Sequence, residues 1–412
     1  MSSDAVITGL GVVSPIGMGL DAFWASCVEG RSGTGPLTRA SAEKLPVKVA
    51  GEIDDFDPTT VLSRKEVRRT SRFVQLAYAA VNESLEHAGL DISDLDPTRV
   101  GVVLGNAGGS IVTLVNELSV YNEKGYSYCD PLVFGKTFPY MAATIIAMKL
   151  GIRGYTSTCV TACSASTEAI GIAANLVKSG TIDVAIAGGT EAWLSDLPLM
   201  TLGLLRVFTT ADVPPETASR PFDRTRDGFV PAEGAGAIVI ESSAHAKRRG
   251  AEPLAAILGF GATNDAYHFT APHPDGRDSA RAMELALADA GCRAEDVSYV
   301  SAHATSTKVG DSAESRAIMH ALGKRAFDTP VSALKSMTGH CIAASGAIEV
   351  VASVMAIQTG VVPPTINLAN PDPECPLDYV PNTSRRASVD IVLKNSFAMG
   401  GQNVCLVLSQ PR

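Results

Sequence analysis

The sequence predicts a layered α/β fold in which the second half of the chain repeats the first. Short apolar runs typical of buried β-strands alternate with helical apolar patterns along the 412 residues. This alternation is typical of sheets covered by helices. Residues 169–180 and 347–360 each run from a small-residue turn through a helix to glycine, which indicates duplication. We expect two similar halves, residues 1–250 and 251–412.

The first half begins with a buried strand that turns at Pro15 and leads into a helix. A further strand ends near Cys159 and runs through a tight turn into the helix that follows Cys163. Basic residues 63–69 precede another helix, whose apolar period passes through Phe73 and Ala80. The strands predicted for this half are residues 5–13, 99–106, 183–191 and 235–241. The predicted helices are residues 20–29, 72–90 and 167–177.

The second half repeats this order of strands and helices. Two of its strands deliver polar side chains into loops, since His303 follows one strand and Lys335 and His340 follow another. A proline-rich loop between residues 363 and 373 precedes the last two strands. The strands predicted for this half are residues 254–261, 297–302, 330–334, 391–395 and 404–408. The predicted helices are residues 279–291 and 347–358.

Cys163 lies in the most distinctive turn of the chain. It stands among small residues at the start of an amphipathic helix, near unpaired N–H groups and the positive end of the helix dipole. This environment favours the thiolate, the nucleophilic form of cysteine. The alternative for a lone cysteine is a buried, small apolar side chain.

Two histidines and a lysine change the interpretation of Cys163. His303, Lys335 and His340 all follow predicted strands, and functional groups concentrate in such loops. Taken singly, each histidine is typical of a hydrogen-bonded structural residue, and Lys335 of a surface or ion-paired one. Taken with Cys163, they predict a catalytic centre.

Composition excludes several classes of protein. The formal net charge of −9 argues against broad nucleic-acid binding. Eight scattered cysteines without Cys-x-x-Cys spacing predict neither a disulfide scaffold nor structural zinc. The apolar residues fall in short runs, and none forms an uninterrupted stretch of about 20 residues, so no membrane span is predicted. The first residues lack the basic and apolar segments of a secretory signal, so we expect a cytoplasmic protein.

Several ordered motifs resemble those of the β-ketoacyl-acyl-carrier-protein synthases, especially the second type from fatty-acid synthesis and the related polyketide ketosynthases. The resemblance covers essentially the whole chain. It implies a thiolase-like fold, a duplicated five-layered α-β-α-β-α architecture. The motifs are Thr161-Ala162-Cys163-Ser164, Arg220-Pro221-Phe222-Asp223, Asp227-Gly228-Phe229-Val230, His303-Ala304-Thr305-Ser306-Thr307, Gly310-Asp311-Ser312-Ala313-Glu314, Lys335-Ser336-Met337-Thr338-Gly339-His340 and Asn395-Ser396-Phe397.

The resemblance also implies roles for individual residues. Cys163 would accept an acyl chain from a carrier-protein thioester, and His303 and His340 would form the decarboxylation and condensation centre. Lys335, paired with Glu349, would support that centre electrostatically. N–H groups at Cys163 and near Met399 would bind the oxyanion. No metal or organic cofactor is implied beyond the phosphopantetheine arm of the carrier protein.

An acidic acyl carrier protein is the partner that the resemblance implies. Lys65, Arg68, Arg69 and Arg206 would dock it by charge complementarity, although such a basic run also fits an ordinary solvated helix face. The resemblance further implies a homodimer, with the strand before Cys163 near the interface.

The sequence departs from the family close to the expected site. Ala304 replaces the usual glycine after the first histidine. The segment Phe397-Ala398-Met399 stands where the family has Phe-Gly-Phe, whose second aromatic residue gates access to the cysteine. Because Ala398 loses backbone freedom and Met399 is thinner and more adaptable than phenylalanine, we expect an altered gate.

Three functions remain open at this level. The first is an elongating ketosynthase that condenses acyl and malonyl thioesters with loss of carbon dioxide, favoured by Cys163, His303, Lys335 and His340. The second is a natural-product ketosynthase that cyclises and releases a tethered acyl or peptidyl chain, favoured by Ala304 and the altered gate. The third is a non-catalytic chain-length partner, which the presence of Cys163 disfavours. Chain length, extender unit and pathway are not encoded in these motifs.

Overall fold

The structure is a computed structural model that describes residues 4–411. The absence of a secretory signal was predicted partly from residues 1–3, which lie outside the described residues. The strands, numbered β1 to β15 in chain order, are Ala5–Ser14, Gly17–Met18, Gly35–Pro36, Val49–Ala50, Val100–Gly105, Thr156–Cys159, Val184–Glu191, Gly234–Ser242, Ala255–Asn264, Tyr299–Ser301, Val331–Ser332, Val361–Val362, Arg385–Arg386, Ile391–Phe397 and Gln402–Ser409.

Helices separate most of these strands, as the alternating pattern predicts. Three helices between β5 and β6, α4 to α6, have no counterpart in the sequence prediction. The helices, numbered α1 to α13 in chain order, are Leu20–Glu29, Arg64–Arg69, Arg72–Ala88, Ile111–Lys124, Val133–Thr137, Met141–Leu150, Ala165–Lys178, Asp196–Leu204, Ser243–Arg248, Arg277–Ala290, Lys308–Leu322, Lys335–Thr338 and Ser345–Thr359.

The central sheet consists of two equivalent halves. The strand order is β11-β10-β14-β15-β9-β1-β8-β7-β5-β6. In the first half β6, β5 and β7 are parallel and β8 and β1 follow antiparallel. In the second half β11, β10 and β14 are parallel and β15 and β9 follow antiparallel. The halves meet where Ala5 to Ile7 of β1 pair with Ala255 to Ile257 of β9.

The helices complete five layers around this sheet. Helices α3 and α6 pack on strands of the first half, and α10 packs on strands of the second half. Helices α7 and α13 contact each other and strands of both halves, so they form the central layer. Buried apolar clusters fill the spaces between the layers: one surrounds the central helices α7 and α13, one lies under α3 and α6, and one lies under α10. The predicted α-β-α-β-α architecture is therefore present.

The duplication is most evident at the start of α7 and α13. Each helix follows a short 3-10 turn, Ala162–Ser164 before α7 and Ile342–Ala344 before α13. The first residue of each turn has left-handed backbone, with φ of 48° at Ala162 and 45° at Ile342. Two central helices thus begin with the same sharp turn, one in each half. The boundary predicted at residue 250 stays a prediction.

One helix has the length and apolar character of a membrane span. The 18-residue segment Ile342–Thr359 has a mean hydropathy of 1.5, but 78% of the segment is buried inside the protein. This segment contains α13, which lies between the two sheet halves. Its apolar character therefore reflects its place in the core.

Candidate active site

Cys163 is held by close packing at the start of α7. The helix approaches β5 and β7 where those strands carry glycine: a Cβ at Gly105 would lie 2.3 Å from the Ser166 nitrogen, and one at Gly189 would lie 2.5 Å from Ser166 Cβ. No larger residue fits at either glycine without moving the helix. The small residues around Cys163 thus let the turn sit deep in the fold, with the cysteine 6% exposed.

His340 is the direct partner of the cysteine. Its Nε2 lies 3.1 Å from Cys163 Sγ, and its Nδ1 lies 3.0 Å from Ser345 Oγ. The main chain on both sides is paired with the segment before β8, since the His340 N–H donates to the Val230 oxygen and the His340 oxygen accepts from Ala232. Residues 177 positions apart are therefore joined by a rigidly held imidazole.

His303 forms the other wall of the centre. Its ring centroid lies 5.5 Å from that of His340, with the two planes at 84°. Glu314 on α11 accepts hydrogen bonds from the main-chain N–H groups of His303 and Ala304, at 2.8 and 2.7 Å. The loop is thus held by one buried carboxylate, while His303 Nδ1 has no hydrogen-bond partner among residues 4–411.

The predicted ion pair between Lys335 and Glu349 is present and includes a third residue. Lys335 Nζ contacts Glu349 Oε1, and the other carboxylate oxygen lies 2.8 Å from the Nζ of Lys394. All three side chains are almost fully buried. The carboxylate of Glu349 therefore forms ion pairs with two buried ammonium groups.

The thiolate expected at Cys163 is not supported. Burial raises the pKa of the Cys163 thiol to about 11, although Lys335 and the N–H groups of Met399 and Cys163 act in the opposite direction. The helix terminus favours the thiolate, but desolvation is the larger effect and disfavours the charged form. At neutral pH the resting cysteine is a thiol, so its reaction with a carbonyl requires a base.

His340 is placed to be that base by its contact with Cys163 Sγ, and burial and the charge of Lys335 lower its pKa well below the ordinary value of 6.5. A lowered pKa leaves the ring neutral down to a lower pH. We therefore expect acyl transfer to Cys163 to keep its full rate as the pH falls through 6.5. Rates of acyl-enzyme formation over a pH series test this. A rate that halves near pH 6.5 would show an unperturbed imidazole instead.

Cys163 opens into a cavity of about 440 Å³. Its lining combines apolar and aromatic side chains with hydroxyl, amide and carboxylate groups. The apolar lining residues include Ala107, Gly108, Ile111, Trp193, Pro198, Leu202, Val207, Phe229 and Ile342, and the polar ones include Asp265, Thr270, Ser279, Thr305, Thr307 and Asn403.

The predicted gate residues also line this cavity. Phe397, Ala398 and Met399 end β14 and begin the turn to β15. The turn closes through a hydrogen bond from the Gly401 N–H to the Ala398 oxygen, and its positive φ values fall at Gly400 and Gly401 rather than at Ala398. Alanine at position 398 thus imposes no left-handed strain in this conformation.

The catalytic-type residues also have the composition of a metal site. Ligand atoms of Cys163, His303 and His340 all lie within 4.8 Å of one another, and imidazole and thiolate are zinc ligands. The neighbouring charges of Lys335 and Lys394 oppose a bound cation. The absence of a metal stays a prediction.

The four predicted docking residues lie on the surface, away from this buried group. Lys65, Arg68 and Arg69 are exposed on α2, and Arg206 is exposed just after α8. Within residues 4–411, none of the four forms an ion pair. Their charges are therefore available to an acidic partner.

Sequence reasoning missed two buried ionisable residues. Lys394 interrupts the apolar strand Ile391-Val392-Leu393, and a lysine at such a position was the available signal. Glu191 ends β7 and lines the cavity at 1% exposure. Burial raises the pKa of Glu191 to about 7, and hydrogen bonds from the N–H groups of loop residues 107, 108 and 343 oppose this.

A duplicated α/β fold with a buried cysteine, two imidazoles and a buried lysine at one cavity defines a class of cysteine-dependent acyltransferases of thiolase-like architecture. Two family models match the chain: "Beta-ketoacyl synthase, N-terminal domain" over residues 2–246 and "Beta-ketoacyl synthase, C-terminal domain" over residues 254–369. The chain belongs to the beta-ketoacyl synthase family.

Relatives with curated names agree with this assignment. A 3-oxoacyl-[acyl-carrier-protein] synthase 2 of Synechocystis is 44% identical over 98% of this chain and 97% of its own length. One of Coxiella burnetii is 42% identical over 98% of each chain. The predicted family resemblance is confirmed.

Solved structures of ketosynthases share the whole fold. A type II PKS ketosynthase, bound to the hexaketide and in complex with its acyl-carrier protein, is 34% identical with a TM-score of 0.93, and the match covers 100% of both chains. The ishigamide ketosynthase/chain length factor matches with the same identity, TM-score and coverage. The predicted thiolase-like fold is confirmed.

Proposed function

We propose that this protein is a β-ketoacyl synthase that acts on carrier-protein thioesters and forms a carbon–carbon bond by decarboxylative Claisen condensation. The observation that carries the proposal is the contact of 3.1 Å between Cys163 Sγ and His340 Nε2, in a cavity that His303 also lines. Full-length similarity to 3-oxoacyl-[acyl-carrier-protein] synthases supports it.

Acyl transfer uses the pair Cys163 and His340. Neutral His340 takes the thiol proton at Nε2 as the sulfur attacks the thioester carbonyl. The tetrahedral oxyanion accepts hydrogen bonds from the N–H groups of Cys163 and Met399. The carrier thiol then leaves with the proton that His340 held, and the acyl chain remains on the sulfur.

Condensation uses both histidines. The extender loses carbon dioxide when its carboxylate–carbon bond breaks, and the electron pair moves to the thioester oxygen as an enolate. Before this step the ring proton of His340 moves from Nδ1 to Nε2, and Ser345 Oγ then donates to Nδ1. His303 and His340 donate hydrogen bonds to the enolate oxygen, which stabilises the developing charge. The enolate carbon attacks the acyl-Cys163 thioester, forms the new bond and releases the Cys163 thiolate, which takes a proton from solvent.

Intact-protein mass spectrometry tests the proposal. The protein is incubated with an acyl-carrier thioester, with and without malonyl-carrier protein, while released carbon dioxide is followed. Acylation of Cys163, malonyl-dependent carbon dioxide release and a product longer by one extender unit support elongation. Acylation without malonyl turnover, with release of a cyclised product, would contradict elongation and support the cyclase hypothesis, which the names of the relatives do not favour.

We propose that the carrier protein docks on Lys65, Arg68, Arg69 and Arg206 and delivers its phosphopantetheine arm to the cavity at Cys163. The exposure of these cations and the lack of ion-pair partners for them within residues 4–411 support docking. In this proposal the carrier supplies the only prosthetic group, and the chain itself requires no metal or organic cofactor.

Charge reversal tests the docking surface. Arg68→Glu combined with Arg69→Glu should raise the KM for an acyl-carrier substrate about tenfold at low salt, because charge complementarity steers the encounter. A small thioester without a carrier protein should react at the wild-type rate. Lys247→Glu combined with Arg248→Glu, a reversal of two exposed cations elsewhere, is the matched control. An equal effect of both reversals would exclude a specific docking surface.

We also propose a homodimer, formed at the side of β6. This strand ends the sheet, and Tyr155 and Val160 beside it are exposed, as are Leu118, Tyr126 and Phe134 in the preceding segment. A large exposed apolar patch next to a sheet edge is typical of a protein interface. The native mass in solution tests this proposal. A cytoplasmic location stays a prediction.

A further inference from the structure

Lys394 is a buried cation whose surroundings are built to hold its charge. Its side chain is fully buried, yet three acceptors face its Nζ: Glu349 Oε2 at 2.8 Å, Ser396 Oγ at 3.0 Å and the main-chain oxygen of Asn395. Burial lowers the pKa of Lys394, and the charge of Glu349 opposes this shift. Because burying an ammonium is costly unless it is paired and hydrogen-bonded, the ion pair with Glu349 and the hydrogen bonds to Ser396 and Asn395 support the charged form.

The charges in this cluster do not cancel. Lys335 and Lys394 share the single carboxylate of Glu349, so two cations contact one anion. The next carboxylate, Glu314, accepts hydrogen bonds from the main-chain N–H groups of His303 and Ala304 and from Asn395, and burial raises its pKa. Without Lys394, the pair of Lys335 and Glu349 would be neutral. With it, this ion-paired group carries one surplus positive charge in a region of low dielectric, where charges act strongly over several ångströms.

That surplus charge acts on His303. Burial lowers the pKa of His303, and Lys335, His340 and Lys394 lower it further, in that order. Lys335 is among the largest causes that shift the pKa values of the Cys163 thiol and of His340, and Lys394 is not among them. The charged and titratable groups that face His303 are Lys335 from α12, His340 from the loop after it, Lys394 from β14, Glu314 from α11 and Cys163 from the turn before α7.

Lys394 is also tied to the elements that carry the reaction. Ser396 Oγ, one of its acceptors, lies 2.7 Å from Thr167 Oγ1 on α7, the helix that begins just after Cys163. Asn395, another acceptor, donates to Glu314, which holds the His303 loop. Lys394 therefore links Glu349 on α13 to the strand that leads to the gate.

We infer that Lys394 is a further positioning residue of the condensation centre: by sharing Glu349 with Lys335, it keeps a surplus positive charge behind His303 that stabilises the enolate formed when the extender loses carbon dioxide. The inference rests on the proposed function. In the step concerned, the carbon–carbon bond to the carboxylate breaks and its electron pair moves to the thioester oxygen. A neutral His303 donates to that oxygen without forming an ion pair with the departing carboxylate.

Lys394→Met, which removes the charge but keeps much of the side-chain volume, tests the inference. Loss of one preorganised charge should slow malonyl decarboxylation about tenfold in kcat, with little change in KM. Acyl transfer to Cys163, measured on the same preparation, should change by less than about twofold. Because the removed cation lowered the pKa of His303, the acid limb of decarboxylation should move to higher pH.

A second variant separates charge from packing. In Lys394→Met combined with Glu349→Gln, Lys335 is the only charge of the cluster, so one surplus positive charge is restored. We expect this double variant to recover part of the decarboxylation rate. Lys394→Gln, which retains a donor toward Glu349, replaces the methionine variant if that protein does not fold, and the stoichiometry of acyl-Cys163 counts the folded sites.

The outcomes distinguish this inference from the proposed function. Equal losses in both partial reactions, an unchanged acid limb or no recovery in the double variant would assign Lys394 to packing alone and overturn the inference. A wild-type protein that acylates but releases no carbon dioxide from malonyl thioester would instead overturn the proposed function. A selective loss in decarboxylation with recovery in the double variant supports both.

Discussion

Cys163→Ala should abolish acyl-enzyme formation. The sulfur is the atom that lies 3.1 Å from His340 Nε2 at the cavity, and alanine has no group that can take its place. Acylation should fall by more than about a thousandfold, since covalent catalysis ends when the nucleophile is removed. Intact-protein mass spectrometry after incubation with an acyl-carrier thioester measures this loss.

A matched cysteine controls for general effects of losing a buried thiol. Cys341 is also fully buried, directly follows His340, and donates to the Glu233 oxygen at 3.2 Å. Cys341→Ala should lower stability yet leave the stoichiometry of acylation unchanged. Labelling of the Cys163→Ala protein by an acyl thioester would refute the assignment of the nucleophile.

The two histidines should have separable effects. His340→Ala should slow acyl transfer and decarboxylation, each by about a hundredfold or more, because the ring is both the base for the thiol and a donor to the enolate. His303→Ala should slow decarboxylation by a similar factor and leave acyl transfer largely intact. The difference follows from geometry, since of the two only His340 hydrogen-bonds Cys163 Sγ among residues 4–411.

Single-turnover acylation and carbon dioxide release, measured separately on each variant, distinguish these effects. Ser345→Ala is a useful companion, because it removes the hydroxyl that faces His340 Nδ1 at 3.0 Å without touching the imidazole. It should weaken acyl transfer less than His340→Ala. A His303→Ala protein that loses acyl transfer as completely as His340→Ala would contradict the separate roles.

The fold was largely predictable from local patterns. Alternation of apolar strands with helices indicated a layered α/β protein, and the similar turn–helix segments at residues 169–180 and 347–360 indicated duplication. The structure places those helices together in the central layer. The helices α4 to α6 were missed because their exposed apolar residues, such as Leu118 and Phe134, obscure the usual contrast between a buried and a solvated face.

Several residues that the structure brings together at the cavity were also singled out by the sequence. Cys163, His303, Lys335 and His340 occur in motifs short enough to recognise in one sequence, and each follows a strand or its turn. These motifs cannot reveal which groups touch. The contact between His340 and Cys163 joins positions 177 residues apart, and it depends on the pairing of the whole sheet.

What the sequence by itself determined was the type of fold, the family and the chemical groups of the centre. Only the tertiary structure decided their protonation and their charge balance. Burial keeps Cys163 as a thiol, against the helix-terminus argument, and the fold brings Lys394 to the same carboxylate as Lys335. The physical reason is that desolvation and charge–charge interaction depend on distances between residues remote in the chain, and local sequence does not specify those distances.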